Sequence, residues 1–257
     1  MSANNIKIFS VRGGYLLRKI KNIPAAFVRR LKIAHEWNNY KKFFAGKNGL
    51  EIGGPSAIFE HIYKKCASCD GVNFSANTVW WNNNTANSYM YNNKTLGHVY
   101  IADAVNMSCL ENNSYDFVMS SNNLEHIANP LKALKEFYRV LKKDGLMIIL
   151  VPMKEKTFDH RREYTSFEHL ISDYENNTPE TDLTHLPEII ELHDYELDPP
   201  CGGRESFIKR SELNYQNRCL HHHVFSRESL EKIFAWLGMQ IINIREFCNN
   251  YMVCAIR

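Results

Sequence analysis

The chain has 257 residues, of which 44% are hydrophobic and 23% charged, and its formal net charge is +3. These values suit a globular protein with one large α/β domain and an insertion. They exclude a membrane-spanning protein, because no apolar run approaches the roughly 20 residues that a transmembrane helix needs. Seven cysteines, an odd number, and no signal-peptide core after Met1 favour a cytoplasmic protein.

The first 47 residues are basic and have a helical pattern. They hold eleven Lys and Arg against one acid, Glu36, so the rest of the chain is net negative. Apolar residues recur at helical spacing from Phe9 to Tyr40, and Pro24 begins the second of two predicted helices. We predict a helical cap over residues 1–47. Three interpretations are open: a solvated basic face, a lid over an anionic substrate, or a surface that docks on a partner or the inner face of a membrane.

A short strand and a glycine-rich turn organise the centre of the chain. The strand is predicted at 49–52 and a helix at 55–65. The turn is not the G-x-G-x-x-G of dinucleotide sites, and Glu51 just before it would repel a pyrophosphate. The pattern indicates a loop for a ligand with a cationic or hydroxyl-rich face. The loop residues are Gly53, Gly54, Pro55 and Ser56.

Strands and helices then alternate up to residue 152. Further strands are predicted at 67–72, 99–102, 115–120 and 146–151, with an amphipathic helix at 130–141 and a loop with a weak helix at 73–96. After residue 225, a helix at 226–237 precedes a hairpin of two strands, 239–247 and 251–256, that turns at Asn249-Asn250. The alternation predicts an α/β fold with a doubly wound, mainly parallel, seven-stranded sheet.

Polar residues follow successive strands at the edge where open α/β sheets bind ligands. Asp70 lies near the end of the second predicted strand, where an acid can accept from a ribose diol, or it simply begins a turn with Gly71. Asp103 follows the third strand, and Asn122 and Asn123 follow the fourth. These oxygen acceptors predict a site for a ligand that donates hydrogen bonds.

The alternation breaks between residues 153 and 223. This insertion is acidic and holds seven of the eleven histidines. In the run His221-His222-His223, alternate members would face opposite ways if the backbone is extended. A metal site is an alternative for these histidines, but no fixed ligand spacing stands out, so no metal is predicted.

Four segments, taken in order, resemble the class I S-adenosylmethionine (SAM)-dependent methyltransferases, of the type 11 kind. They are Leu50-Glu51-Ile52-Gly53-Gly54-Pro55-Ser56, Ala102-Asp103-Ala104, Tyr115-Asp116-Phe117-Val118 with Leu124-Glu125-His126-Ile127, and Arg139-Val140-Leu141-Lys142-Lys143-Asp144-Gly145-Leu146. The likeness covers residues 48–152 and, by topology, 224–257. The first loop departs from the usual E/D-x-G-x-G-x-G. The segments around 157–162 and 221–225 resemble methyltransferases from bacterial surface-glycan clusters.

The resemblance implies a Rossmann-like domain over residues 48–257, with SAM as cofactor and S-adenosylhomocysteine as product. Gly53, Gly54, Pro55 and Ser56 would lie against the methionine part of SAM, with Glu51 holding its amino group directly or through water. Asp70 would accept from the ribose. Asp103 would accept from the adenine amine, with the Ala104 N–H on a ring nitrogen, and Asn122 and Asn123 would lie beside the sulfonium.

The narrower resemblance implies O-methylation of a sugar, a heptose or hexose of a capsule or lipopolysaccharide or its nucleotide-linked precursor. A hydroxyl acceptor calls for a general base, and the candidates are His126, His160 and His222. His126 could instead cap or pack the next helix. Alternative functions are methylation of an amine or phosphoramidate, or SAM binding without catalysis. No nucleic-acid partner is predicted, because basic and aromatic residues do not interleave on a strand platform.

Overall fold

The computed structural model describes residues 25–76 and 87–257. Most of the predicted cap, including Phe9 and Pro24, and the part of the predicted loop with Trp80 and Trp81 lie outside the described residues. The chain divides into two units, Met1–Lys42 and Phe43–Arg257. In the first unit, helix α1 is Ala25–Asn39. A short helix, α2 (Lys41–Phe44), follows it.

Eight strands of the described residues form one sheet. They are β1 Asn48–Ile52, β2 Ser68–Asn73, β3 Ser88–Tyr91, β4 Lys94–Ile101, β5 Tyr115–Ser121, β6 Leu141–Pro152, β7 Gln240–Phe247 and β8 Asn250–Ile256. Their order is β3-β4-β2-β1-β5-β6-β8-β7. The central strands β4, β2, β1, β5 and β6 pair in parallel, and the outer pairs are antiparallel. The doubly wound, mainly parallel architecture is therefore confirmed.

The predicted strand count of seven is wrong, because the described residues contain an eighth strand, β3. It forms a hairpin with β4 in the segment predicted as a loop with a weak helix. Asn92 and Asn93 make the turn with φ of 48° and 61°. Asparagine tolerates this left-handed region better than most residues, which suits a tight hairpin turn. The hairpin of β7 and β8 has the same kind of turn. It lies at Cys248-Asn249, with φ of 52° and 67°, and not at Asn249-Asn250 as predicted.

The helices of the second unit lie between the strands and in the insertion. They are α3 Glu60–Tyr63, α4 Pro130–Val140, α5 Phe167–Glu175, α6 Leu186–Leu192, α7 Arg204–Glu212, α8 Asn214–Asn217 and α9 Arg227–Trp236. The side chain of Asn129 caps α4 by accepting from the Lys132 N–H. Ser56 makes no capping hydrogen bond, and a 3₁₀ turn at Ala57–Phe59 precedes the short α3. No helix of the described residues is long and apolar enough to cross a bilayer.

The core lies where α4 and α9 pack on the sheet. The faces of α4 and β6 that meet there are fully buried, as Leu134, Phe137, Met147 and Ile149 show. A close approach between β1 and β5 fixes their spacing. A Cβ on Gly49 would lie 2.0 Å from the ring of Phe117, so only glycine fits at that position.

We predict that Gly49→Ala lowers the free energy of unfolding by about 1–3 kcal/mol, because an added methyl overpacks a closed core. Phe117 is fully buried, and its ring has little room to move. Urea unfolding measures the effect. The same substitution in a Phe117→Leu background should cost less, because the ring that it meets is gone. An equal cost in both backgrounds would contradict the proposed clash.

Candidate functional site

A cavity of about 640 Å³ opens at the carboxyl ends of the five parallel strands. Each of these strands contributes wall residues at or just after its last position. The insertion covers the other side of the cavity with residues such as Thr157, Phe158 and Arg210. The volume lies in the range of small-molecule sites. The wall residues from the strand ends include Gly53, Asn73, Asp103, Asn122 and Pro152.

The glycine turn after β1 forms one wall, through Gly53 and Pro55. Gly53 has φ of 79°, and a Cβ there would lie 2.5 Å from Oδ1 of Asn123. A Cβ on Gly54 would lie 2.2 Å from the carboxyl carbon of Glu51. Position 53 therefore needs glycine because of its backbone conformation and its close neighbour. Position 54 needs glycine because of its close neighbour alone. Gly54 and Ser56 are not among the wall residues.

Glu51 supports this turn from beneath and is not part of the wall. It is fully buried. Its carboxylate accepts from the Ser56 N–H at 3.0 Å, from the Tyr89 hydroxyl at 2.7 Å and from the Tyr63 hydroxyl. Burial raises the pKa of Glu51 to about 7, although these hydrogen bonds act in the opposite direction. The structure thus gives Glu51 a role in holding the loop, and its contact with the amino group of a ligand, directly or through water, stays a prediction.

The prediction for Asp70 is wrong, because β2 continues to Asn73 and Asp70 lies in mid-strand. The Asp70 carboxylate accepts from the His98 N–H at 2.8 Å and from the Tyr115 hydroxyl at 2.9 Å. Tyr115 begins β5, so this contact lies toward the end of the sheet away from the cavity. Asn73 reaches the cavity instead. Its Nδ2 is buried and has no hydrogen-bond partner within residues 25–76 and 87–257.

Asp103, Ala104, Asn122 and Asn123 all line the cavity, as the sequence predicted for a shared site. Asp103 accepts from the Val105 N–H at 3.2 Å and contacts Arg218 at 2.8 Å. The Nδ2 of Asn123 is buried and lacks a hydrogen-bond partner in the described part of the chain. Two unpaired amide donors, their amide oxygens and a carboxylate in one hollow fit SAM, which carries an ammonium, a carboxylate, a diol and an adenine.

Two of the three candidate bases lie away from the cavity. His160 is part-exposed, and its Nε2 lies 2.8 Å from Oδ2 of Asp194. His222 is buried behind the wall, with Nε2 3.0 Å from Nδ2 of Asn214, and burial lowers its pKa to about 4. The run His221–His223 is not part of a strand, and its cavity-facing member is His221. His126 also lines the cavity.

His221 is held by a buried carboxylate. Its Nδ1 lies 2.5 Å from Oδ2 of Asp159, and Arg162 contacts the other Asp159 oxygen at 3.2 Å. Arg162 also donates to the carbonyl of His221 at 2.9 Å. Burial tends to lower the pKa of His221, but the charge and hydrogen bond of Asp159 outweigh it and raise the pKa above its usual value. A histidine oriented through Nδ1 presents Nε2 for proton transfer.

Glu125 and His126 adjoin this pair. His126 lies with Nδ1 3.2 Å from the Leu220 carbonyl, and burial holds its pKa well below the usual value, so its ring is neutral. Both carboxylate oxygens of Glu125 are buried without a hydrogen-bond partner among the described residues, and burial raises its pKa to about 7. The sequence pattern suggested no role for Glu125 and offered Asp159 only as a possible metal ligand, although both stand in the quoted segments.

Among the described residues, three groups of side chains have the spacing to hold a metal ion. Their ligand atoms lie within 4.8 Å of one another in each group. One group borders the cavity, and the others lie in and around the insertion. The groups are Glu125, His126 and His221; His169, Asp173 and His223; and His193, Asp198 and Cys201.

Two arginines of the insertion bring positive charge to the cavity. Arg218 contacts Asp103 and lies 2.6 Å from an oxygen of Glu180. Its guanidinium also lies 4.9 Å from the ring centroid of Phe74. Arg210 has a buried Nε without a hydrogen-bond partner in the described ranges. The insertion therefore offers donors where the strand ends offer mainly acceptors.

Comparisons with known proteins agree with this architecture. Residues 50–149 match a family model described as a methyltransferase domain. No curated protein matches the chain. An S-adenosylmethionine-dependent methyltransferase from Mesorhizobium loti is 12% identical with a TM-score of 0.52, covering 86% of this chain and 97% of its own. A SAM-dependent methyltransferase from Aquifex aeolicus is 13% identical with a TM-score of 0.46, covering 87% and 88%.

At so low an identity, the likeness to the Mesorhizobium loti structure shows a shared fold alone. The assignment of methyltransferase activity therefore rests on the family model. The matched segment contains the glycine turn, Asp103 and the residues after β5, and 14 of the 23 described wall residues of the cavity lie within it. The chain is thus a SAM-dependent methyltransferase, with S-adenosyl-L-methionine as its cofactor.

Proposed function

We propose that this enzyme methylates a hydroxyl group of a small sugar, a heptose or hexose carried as a nucleotide-linked or surface-glycan precursor, with His221 as general base. The observation that carries the proposal is the buried contact between Asp159 and His221 on the cavity wall. A hydroxyl must lose its proton near the transition state, whereas a neutral amine can lose it later. A preset proton acceptor therefore favours a hydroxyl substrate.

Residues at the strand ends would hold the cofactor. Asp103 would accept from the adenine amine, Asn73 would face the ribose, and the turn at Gly53 and Pro55 would lie along the methionine part. Bound SAM supplies a methyl group on a cationic sulfur. Asn122 and Asn123 line the wall between this region and the histidines, on the path that the methyl group would take.

The insertion would position the acceptor and receive its proton. Nε2 of His221 would accept the hydroxyl proton of the acceptor as its oxygen takes up the methyl group that bound SAM supplies. Asp159 stabilises the resulting imidazolium, and Arg162 keeps Asp159 in place. Orientation of the two reactants inside a closed cavity adds to the rate; for well-aligned reactions this effect reaches about 7–11 kcal/mol.

The arginines of the cavity support an acceptor that carries negative charge. Arg210 and Arg218 stand on the insertion side, and the Nε of Arg210 is buried without a partner in the described residues. A phosphate or carboxylate on the acceptor would satisfy such donors. A nucleotide-linked sugar or a sugar phosphate combines this charge with several hydroxyls.

We predict that Asp103→Asn weakens binding of S-adenosylhomocysteine by about 10–100-fold, because hydrogen bonds to charged groups contribute about 1.5–3 kcal/mol. Isothermal titration calorimetry gives the dissociation constant. Asp70→Asn is the matched control, since Asp70 is also a part-exposed strand carboxylate but lies outside the cavity. Equal weakening by both variants would mean that the cofactor lies elsewhere.

We predict that His221→Gln lowers kcat by about 10²–10⁴-fold, the usual contribution of a general base, while binding of S-adenosylhomocysteine stays near wild type. His160→Gln should keep nearly full activity, because His160 does not line the cavity. Retained product binding shows that the variant is folded. A His221 variant with full activity would remove His221 from the mechanism.

The pH profile tests the role of Asp159. Only neutral His221 can accept a proton, so the rate should rise with pH through the His221 pKa, which Asp159 raises. In Asp159→Asn the charge is lost, the pKa falls, and the rising limb should move to lower pH while the plateau drops. An unmoved limb in a folded variant would show that another group titrates.

The acceptor class is tested with a panel of nucleotide-sugars, sugar phosphates and small amines. Enzyme and SAM are incubated with each compound, and products are analysed by mass spectrometry. We expect a gain of one methyl group on a hydroxyl of a charged sugar. Methylation of amines alone would overturn the proposed acceptor and leave the methyltransferase activity intact.

A further inference from the structure

Four side chains converge outside the cavity, and the proposed mechanism uses none of them. His169 and Asp173 lie one turn apart on α5, and His185 immediately precedes α6. His223 lies in the segment that leads to α9. None of the four is a wall residue of the cavity.

The ligand atoms of His169, Asp173 and His223 lie within 4.8 Å of one another, which is the spacing of a metal site, and His185 adjoins His169. Nε2 of His169 lies 3.0 Å from Nε2 of His185 and 3.2 Å from Oδ2 of Asp173, and Nε2 of His223 lies 3.9 Å from the same oxygen. In a tetrahedral zinc site with bonds of about 2.0–2.1 Å, neighbouring ligand atoms are about 3.3 Å apart. Small side-chain movements would thus bring all four to one ion.

The polar atoms of the cluster are also poorly satisfied. Oδ2 of Asp173 is buried and makes no hydrogen bond among the described residues, although it faces two imidazoles. The His223 side chain is only 1% exposed, and its Nδ1 has no hydrogen-bond partner in the described ranges. A buried carboxylate oxygen without a hydrogen bond, beside two imidazoles, is an arrangement that a cation would stabilise.

The protonation states of two of the histidines suit a metal, and burial raises the pKa of Asp173, which a bound cation would lower again. Burial lowers the pKa of His185 and holds that of His223 well below the usual value, so both rings are neutral near pH 7. Neutral imidazoles offer a lone pair without first losing a proton. To bind through Nε2, His223 would carry its proton on Nδ1 and give up its 3.0 Å contact with the Ala128 carbonyl.

We propose that His169, Asp173, His185 and His223 bind a structural zinc ion. Three imidazoles with one carboxylate favour zinc over magnesium or calcium, which prefer oxygen ligands. Four protein ligands leave no open position, which is typical of a structural site. The ion would tie α5, the start of α6 and the segment after His222 together, next to the histidine that lines the cavity.

The test is zinc binding by the full-length protein. Protein stripped with a chelator is titrated with zinc sulfate in competition with a chromophoric chelator, and the metal content is measured by inductively coupled plasma mass spectrometry. We expect about one zinc per chain. His169→Gln should bind zinc at least about ten-fold more weakly, since loss of one ligand removes a metal bond.

His160→Gln is the matched control. The side chains of His169 and His160 are 38% and 36% exposed, and each lies beside one aspartate. The control should bind zinc as the native protein does. His185→Gln provides a second test if the His169 variant fails to fold, with binding of S-adenosylhomocysteine as the check on folding.

The proposal fails if the native protein binds no zinc above background. It also fails if folded His169 and His185 variants bind zinc as tightly as the control. Zinc binding that is lost in Glu125→Gln but kept in the His169 variant would assign the ion to the cavity and overturn this site. The readout is metal content, so it is independent of the acceptor and of the general base.

Discussion

Parallel pairing of the five central strands is the constraint on which the site depends. It brings the carboxyl ends of β4, β2, β1, β5 and β6 to one edge of the sheet, so that residues distant in sequence share one hollow. Strands β1, β5 and β6 are mostly buried, and they supply stability. Polar wall residues stand at or just beyond three of the strand ends, as Asn73, Asp103 and Asn122 show. Binding chemistry therefore begins where these strands end.

The insertion adds what the sheet edge lacks. The strand ends offer mainly oxygen acceptors, whereas the insertion offers imidazoles and guanidinium groups. Its central contact joins Asp159, soon after β6, to His221, just before α9. The general base and its carboxylate partner come from the two ends of the insertion. The pair therefore forms only when the whole insertion is folded. The proposed zinc ion would act on the same segment, at His223, two residues from the base.

The strand pattern was predictable because it rests on local periodicity, but several site residues depend on details that periodicity does not resolve. Asp70 was chosen as the acid nearest the end of a weak strand, yet β2 runs three residues further, to Asn73. His222 and His221 differ by one position, and a one-residue change in an extended segment reverses the side chain. The pairing of Asp159 with His221 spans about 60 residues and follows only from the tertiary fold. Hairpin strand β3 was missed because it is only 4 residues long and lies in an asparagine-rich segment.

A crystal structure with S-adenosylhomocysteine bound would test the central claim most directly, because it shows where the sulfur lies relative to the histidines. We expect the ligand in the cavity of about 640 Å³, with its adenine near Asp103 and its sulfur on the side that faces His221. Electron density for the ligand outside this cavity, or a sulfur atom turned away from His221 with the wall between them, would contradict the proposed site.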